Sequence, residues 1–458
     1  MVSRPRIEGG LGGFVRNSGY VRKWLILGIA IGVIAGLGAV VFYLALDGAG
    51  RVLLGHLGGY DIPKPAGDGG DPGSPGFDRP WAIPLIACGG ALVSAWFVAK
   101  FAPEAEGHGT DDAIEAVHTD PRGIRVRAIV VKTIASALTI GSGGSGGREG
   151  PAAHISAGFG SLLTRWLNLS DEDGRLAVSL GIGAGIGAIF GAPLGGAVLA
   201  ASIVYRDDFD YRALIPGFVT SASAYAVLGS ILGFDPLFGF LVGDYRFSHP
   251  LDLAWFVPLG VIAGGVGWLY ARVFYGTVAV SAMLPGGKIV KPAVGGLAVG
   301  LLALVIPQVL ASGYGWAEKA AATDTLMSIP LWIVLLLPLA KILATSLSIG
   351  TGGSGGIFGP GVVIGAFVGA ALWRLGDALG APGIPDSPAI FVVVGMMACF
   401  GSVAHAPLAV MIMVCEMTSS FSVLPCAMVG VGIACLTISR SDVAIYRAQR
   451  PRRETEQV

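Results

Sequence analysis

Residues 132–160 read KTIASALTIGSGGSGGREGPAAHISAGFG, and residues 341–369 read KILATSLSIGTGGSGGIFGPGVVIGAFVG. Aligned at an offset of 209, 15 of these 29 positions are identical. Glycine bias alone produces matches between low-complexity tracts. It does not hold Lys132 against Lys341, Ser145 against Ser354, Pro151 against Pro360 and Ile155 against Ile364 in one phase. A second pair, Ala192-Pro193-Leu194 and Ala406-Pro407-Leu408, follows in the same order, 214 apart. The chain is therefore read as two related halves and not as a solenoid of short repeats.

The surroundings of the repeat are apolar. Hydrophobic residues make up 53% of the 458-residue chain and charged residues only 13%, where about 25% is usual for a soluble domain. With a mean hydropathy of +0.72, this is the composition of an integral membrane protein. The 30 basic and 30 acidic residues balance, so no bulk field argues for nucleic acid as a partner. The cysteines, Cys88, Cys399, Cys415, Cys426 and Cys435, all lie in apolar runs without a C-x-x-C pair. They are expected as buried thiols, with no disulfide frame, metal site or cofactor.

Residues 1–23 carry Arg4, Arg6, Arg16, Arg22 and Lys23 against Glu8, and the tail at 441–458 carries Arg447, Arg450, Arg452 and Arg453. Basic flanks stay inside, so both termini are expected in the cytoplasm and the multi-pass part, 24–440, in the cell membrane. The uncharged run Trp24–Leu46 is too long for a signal-peptide core and, at about 34 Å as a helix, long enough to span. Residues 47–80, rich in Gly, Pro and Asp, read as an external loop. Trp81–Ala99 then returns the chain to a charged cytoplasmic stretch at 101–127. The halves are placed at about 81–234 and 253–439. Many of their apolar runs are interrupted; Leu176–Tyr205, broken at Gly191 and Pro193, predicts two short helices. Trp24 and Trp81 are expected as interfacial anchors. Lys132 and Lys341 are expected to add positive potential to the vestibules. In lipid, broken backbone survives only inside protein or along a cavity. The predicted fold is thus an all-α polytopic membrane protein of two halves with matching broken, partly non-spanning helices, and its site lies where the breaks meet.

Each copy of the motif runs from an apolar helix through a glycine-rich break into Gly-x-x-Gly-Pro: Gly147-Arg148-Glu149-Gly150-Pro151 and Gly356-Ile357-Phe358-Gly359-Pro360. Proline is accommodated in the first helical turn, so each break is predicted to end at a helix N-terminus. Free amides and the positive end of the helix dipole favour an anion there. Two such ends aimed at one point offset a desolvation cost of order 20 kcal/mol for a bare ion. Close helix packing through small residues is the competing reading. Glu149 tips the balance, because a carboxylate inside an apolar run costs about 3 kcal/mol or more and marks a functional site. At a helix N-terminus it occupies the place of an anion and leaves when protonated, which makes it a candidate gate and proton acceptor. A bridge to the adjacent Arg148 is disfavoured, since helix neighbours do not face each other. Glu416, also in an apolar run, is expected as a buried structural partner.

The two motifs, GREGP at 147–151 and GIFGP at 356–360, resemble signatures of the CLC family of chloride channels and proton/chloride exchangers, in the right order and separation, and the likeness extends over nearly the whole membrane part. The resemblance, to the prokaryotic type without CBS domains, implies inverted-topology repeats in a homodimer with one pore per subunit. It implies proton-coupled chloride exchange with Glu149 as the gating carboxylate, or passive gated conduction on the same scaffold, and no enzyme activity. It puts the anion against Gly107, His108 and Gly109, Arg148, Glu149 and Gly150, Ile357 and Phe358, and Tyr446 near the end of the last helix. Two departures stand out. Gly107-His108-Gly109 has histidine where the family motif has serine; a neutral imidazole still donates one N–H, and its titration makes anion affinity sensitive to pH. Residues 200–206, AASIVYR, lack the inner glutamate of many exchangers, and Asp207 and Asp208 read as solvated turn residues. A remote alternative is an intramembrane serine hydrolase built on Ser145 with His154 or His405 as base; the position matching His154 is Val363, which does not support a duplicated active site.

Overall fold

The computed structural model describes residues 19–239, 242 and 250–451. Arg4, Arg6, Glu8, Arg16, Arg452 and Arg453 lie outside the described residues. Seventeen α-helices, and no strand, are found among the described residues. In the first half these are α1 (Tyr20–Gly50), α2 (Ala82–Phe101), α3 (Thr110–His118), α4 (Val126–Gly141), α5 (Glu149–Trp166), α6 (Asp171–Phe190), α7 (Pro193–Ser202) and α8 (Tyr211–Leu232). The second half has α9 (Phe256–Met283), α10 (Val290–Ala303), α11 (Tyr314–Ala321), α12 (Thr323–Ser328), α13 (Leu331–Ile349), α14 (Phe358–Ala378), α15 (Ala389–Val403), α16 (Pro407–Met417) and α17 (Leu424–Ile438).

Among the described residues, seven stretches are long and apolar enough to cross a membrane. Others are not: α15 and α17, at 15 residues each, reach about 22 Å against a hydrocarbon core of about 30 Å. The break between α6 and α7 falls at Gly191, whose φ of 65° ends one helix, and Pro193, which opens the next. Of that pair only α7 is short; α6 has 20 residues. The first helix exceeds its expected bounds. It continues through a π-helical turn, Arg51–Leu57, into the region expected as loop, for 38 residues in all. Asp47 and Arg51 pair one turn apart at 2.7 Å, so two charges that look like a loop signal support the helix instead.

The two halves meet head to head. Gly147 and Gly356 form an antiparallel bridge and exchange both hydrogen bonds, Gly147 N to Gly356 O at 2.8 Å and Gly356 N to Gly147 O at 2.7 Å. Each glycine stands two residues before a helix, so the N-termini of α5 and α14 converge on one point and the repeats are inverted. Small residues keep the inner helices close: a Cβ on Gly160 of α5 would strike the Ala177 carbonyl of α6, and one on the equivalent Gly369 of α14 would strike that of Phe391 in α15. The packing reading of the glycines therefore holds at Gly160 and Gly369.

Two sequence expectations fail here. Lys132 and Lys341 are fully buried and face no vestibule. Lys132 Nζ donates to the Ala105 and Gly107 carbonyls at 3.1 and 2.7 Å, and Lys341 Nζ to those of Val309 and Ala311 at 2.9 and 2.7 Å. Each ammonium pins the irregular segment ahead of a short helix, α3 or α11. Trp24 is buried among Leu27, Ile31 and Leu169 and is no interfacial anchor, because α1 begins a turn earlier than the apolar run; Trp81 is 69% exposed. All five cysteines are free thiols. The start of α1 and the end of the described chain share one face, where Tyr20, Lys23 and Arg450 line a common cavity.

Candidate functional site

Glu149 is the first residue of α5, and its carboxylate is 1% exposed. Its carboxylate meets its own backbone amide and reaches across to the other repeat. Its Oε1 accepts the Gly359 amide at 2.7 Å, and its Oε2 accepts the Tyr314 hydroxyl at 3.1 Å. The side chain of one repeat thus lies on the N-terminus of α14 from the other, where amides are unpaired by helix geometry and the dipole is positive. This is the position in which an anion would be held.

Arg148 points the opposite way. Its guanidinium forms a two-oxygen contact with Asp68 at 2.9 and 3.0 Å and lies over the Tyr314 and Tyr43 rings at 5.3 and 5.5 Å. Asp68 belongs to a short 3-10 turn in the loop after α1. Arg148, Asp68 and Tyr314 line a cavity of about 390 Å³ on the face opposite the termini. Arg148 lines this cavity, and Glu149 lies on the side of it toward the terminal face.

The remaining expected residues surround the other side of Glu149. Gly150 packs so tightly that a Cβ would meet the His108 carbonyl and the Gly356 Cα. Gly107, with φ 73°, runs beside the second motif: its N–H donates to Gly353 at 3.1 Å and its carbonyl accepts from Gly355 at 3.3 Å. Gly109, φ 79°, caps α3. Phe358 opens α14, with its ring 4.3 Å from Phe400 and 5.2 Å from Phe190. The Ile357 carbonyl accepts the Tyr270 hydroxyl at 2.8 Å, which fixes the peptide leading into the α14 amides. Tyr446, 1% exposed, has its ring 6.2 Å from Phe400 and 5.9 Å from His108.

Two corrections follow. Tyr446 stands not at a helix end but eight residues past α17, in an irregular segment. The polar run Ser439-Arg440-Ser441-Asp442 ends the helix, and the Ile445 amide, donating to Val403 at 2.9 Å, carries the chain back into the protein. His108, 7% exposed, does not offer a neutral N–H to the pathway. Its Nε2 faces Asp111 Oδ2 at 3.2 Å, and that carboxylate also accepts the Tyr275 hydroxyl and the Arg447 and Ala448 amides. With its other partners all donors, Asp111 takes the Nε2 proton as well. Nδ1 is buried with no protein partner.

Asp111, Tyr314, Asp68 and Tyr270 were missed by reasoning from the motifs. Gly109-Thr110 and Gly313-Tyr314 both open a short helix behind carbonyls held by a repeat lysine, 204 apart. Of the hydrolase candidates, Ser145 shares a hydrogen bond with Thr345 at 2.9 Å, and His154 Nδ1 lies on the Gly109 carbonyl at 3.3 Å. His405 Nε2 lies 3.2 Å from the Val443 carbonyl, so neither imidazole is engaged with the serine. Glu416 does act as a structural partner, accepting the Leu194 and Gly195 amides at 3.0 and 2.7 Å to cap α7.

Comparison with known proteins agrees with this geometry. Residues 90–439 match the family described as Voltage gated chloride channel. A ClcB-like protein of Ralstonia nicotianae is 30% identical over 366 residues, covering 78% of this chain and 81% of its own. The H(+)/Cl(-) exchange transporter ClcA of Citrobacter koseri is 29% identical over 73% of this chain and 70% of its own length. Among solved structures, a slow cyanobacterial Cl-/H+ antiporter superposes with a TM-score of 0.76 at 23% identity, over 92% of this chain and 96% of that one. A CLC-type fluoride/proton antiporter superposes with a TM-score of 0.75 at 20% identity, over 95% and 100%. The match to the family over most of the chain, and the inverted repeats meeting at a buried carboxylate, establish that this multi-pass membrane protein belongs to the voltage gated chloride channel (CLC) family.

Proposed function

We propose that this protein exchanges chloride for protons across the cell membrane, with Glu149 alternating between the anion's place and a protonated, displaced state. The observation that carries the reading is the seat of the Glu149 carboxylate on the Gly359 amide, where two inverted helix N-termini meet. A carboxylate there competes with chloride for the same donors, and protonation removes both its charge and its hold on them. The exchange named for the ClcA relative supports coupling over passive conduction.

Chloride on this reading is held by the backbone at Gly107, Gly109 and Gly150 and by the amides of Ile357 and Phe358, with Tyr446 and His108 on the inner side and Arg148 supplying positive potential at the outer approach. Neutral amides suit transport, because a site of full charge would hold the ion too tightly to release it. Because Asp111 occupies Nε2, the ring nitrogen that His108 has left for the ion is Nδ1. The transmembrane part occupies 24–440, with repeats at about 81–234 and 253–439; both termini face the cytoplasm, the chain is not an enzyme, and it works in the bilayer as a homodimer.

The test is flux from proteoliposomes under a chloride gradient at clamped voltage, with external pH recorded. Uphill proton movement in the wild type, lost in Glu149→Gln, is the expected result. Chloride flux with no proton movement would make this a channel in which Glu149 only gates.

A further inference from the structure

The face that carries the chain termini holds a second cavity, of about 790 Å³, between the start of α1, the end of α3, the start of α6 and residues 204–212. Its carboxylates all have basic partners. Asp171 pairs with Arg122, Glu172 with Arg212 and Asp173 with Lys23, while Asp210 accepts the Arg212 amide and lies 3.7 Å from its guanidinium. Each is thus already engaged by a basic side chain. Among the described residues that line the cavity, one side chain is of the type that titrates near neutral pH: His118, the last residue of α3.

His118 is 8% exposed, with Nε2 2.9 Å from the Val204 carbonyl and its ring 5.4 Å from that of Tyr205. A carbonyl only accepts, so Nε2 bears the hydrogen and Nδ1 keeps the lone pair. The charged groups acting on it are Glu115 on its own helix, Arg175 on α6 and Arg450 on the C-terminal segment. Burial, helped by the two arginines and opposed by Val204 and Glu115, holds the imidazole below its ordinary 6.5. Such a group is neutral at pH 7 and gives up a proton readily once loaded.

The helix points the route. From His118, α3 runs back about 13 Å at 1.5 Å per residue to Gly109, whose carbonyl lies 3.3 Å from His154 Nδ1. The Nε2 of His154 is buried with no protein partner, so a second open imidazole nitrogen stands near the Gly109 end of α3, on a ring that burial and Lys132 disfavour protonating. His154 lies on α5, five residues after Glu149.

We propose that His118 loads protons from the terminal-face cavity for delivery to Glu149. A hydrated proton adds to Nδ1, the imidazolium forms, and it returns to neutral by releasing that proton inward through water toward His154 and Glu149. The inference rests on the exchange reading above, and its test separates the two. In the flux assay, His118→Gln is expected to keep chloride flux within about twofold while proton flux falls at least tenfold. His118→Glu restores proton flux with its dependence on terminal-face pH moved to lower pH. A wild type that moves no protons overturns the exchange reading and this inference with it. A wild type that exchanges while His118→Gln keeps the same proton-to-chloride ratio overturns this inference alone. If His118→Gln carries neither ion, His118→Glu decides: a displaced pH profile supports the loading role, and an unchanged one overturns it.

Discussion

Glu149 is held by backbone amides and by one side chain, and removing the side chain isolates its share. The Gly359 amide belongs to the α14 backbone and cannot be deleted by substitution, but the Tyr314 hydroxyl can. A hydrogen bond to a charged group is worth about 1.5–3 kcal/mol, so Tyr314→Phe should weaken the seated carboxylate by roughly tenfold or more. The expected outcome is faster chloride turnover in vesicle efflux, with the dependence on Glu149 retained; unchanged turnover would mean that the hydroxyl does not hold the gate. The sequence pointed to Glu149 because a lone acid in an apolar run needs an explanation. It could not point to Tyr314, 165 residues away, or to Asp68, whose loop composition reads as solvent until Arg148 is seen pairing with it at 2.9 Å. The two-faced role of His108 was also hidden, since only its contact with Asp111 fixes which nitrogen is committed.

Among the helices, the two lysine-held segments behave as matched staples with unequal reserves. When Lys132 is removed, the Ala105 carbonyl keeps the Ser354 hydroxyl and that of Gly107 keeps the Gly355 amide. When Lys341 is removed, Ala311 keeps the Gly146 amide, but Val309 loses its only donor among the described hydrogen bonds. A stranded buried carbonyl costs about 1–3 kcal/mol. Lys341→Met should therefore destabilise the detergent-solubilised protein by about that much more than Lys132→Met in thermal or denaturant unfolding. Asp111 staples a third element, the segment after α17. Burial alone would raise its carboxyl, but His108, the Ala448 amide and Tyr275 outweigh that and leave it below the ordinary 3.8. A depressed carboxyl contributes stability that is complete above 3.8 and lost as pH falls through the lower folded value. Hydrogen exchange at the Arg447 and Ala448 amides should stay slow down to that range and accelerate below it; Asp111→Asn should accelerate it at neutral pH. The sequence revealed most helices through their apolar runs and the breaks at Gly191 and Pro193. The bounds that failed were those at Asp47 and Arg51, where paired charges continue a helix, and beyond Arg440, where a tertiary contact decides the path of the chain.

At the scale of the whole molecule, the order of the repeats fixes the fold, and the orientation in the membrane is a separate question. The terminal face presents Lys23, Arg122, Arg175, Arg212 and Arg450 around one cavity. The opposite face has Arg51, Lys64, Arg79 and Lys319, bound to Asp47 or to loop carbonyls. The proposed orientation, with the terminal face in the cytoplasm, follows the rule that basic flanks stay inside. Two glycines make this testable with little structural cost. At Gly76, in the loop after α1, and at Gly287, after α9, an added Cβ would meet no atom within 4 Å. Gly287 precedes Lys288, which pairs with Glu106 at 3.3 Å, beside the segment that leads into α3. The background is low, because Cys399, Cys415 and Cys426 are buried and Cys88 and Cys435 are partly buried within apolar helices. With a membrane-impermeant maleimide on intact cells, Gly76→Cys should react at once and Gly287→Cys only after permeabilisation. The reverse pattern would turn the molecule over. His118 would then meet the external medium, and protons would enter the pathway from the side opposite to that assigned here.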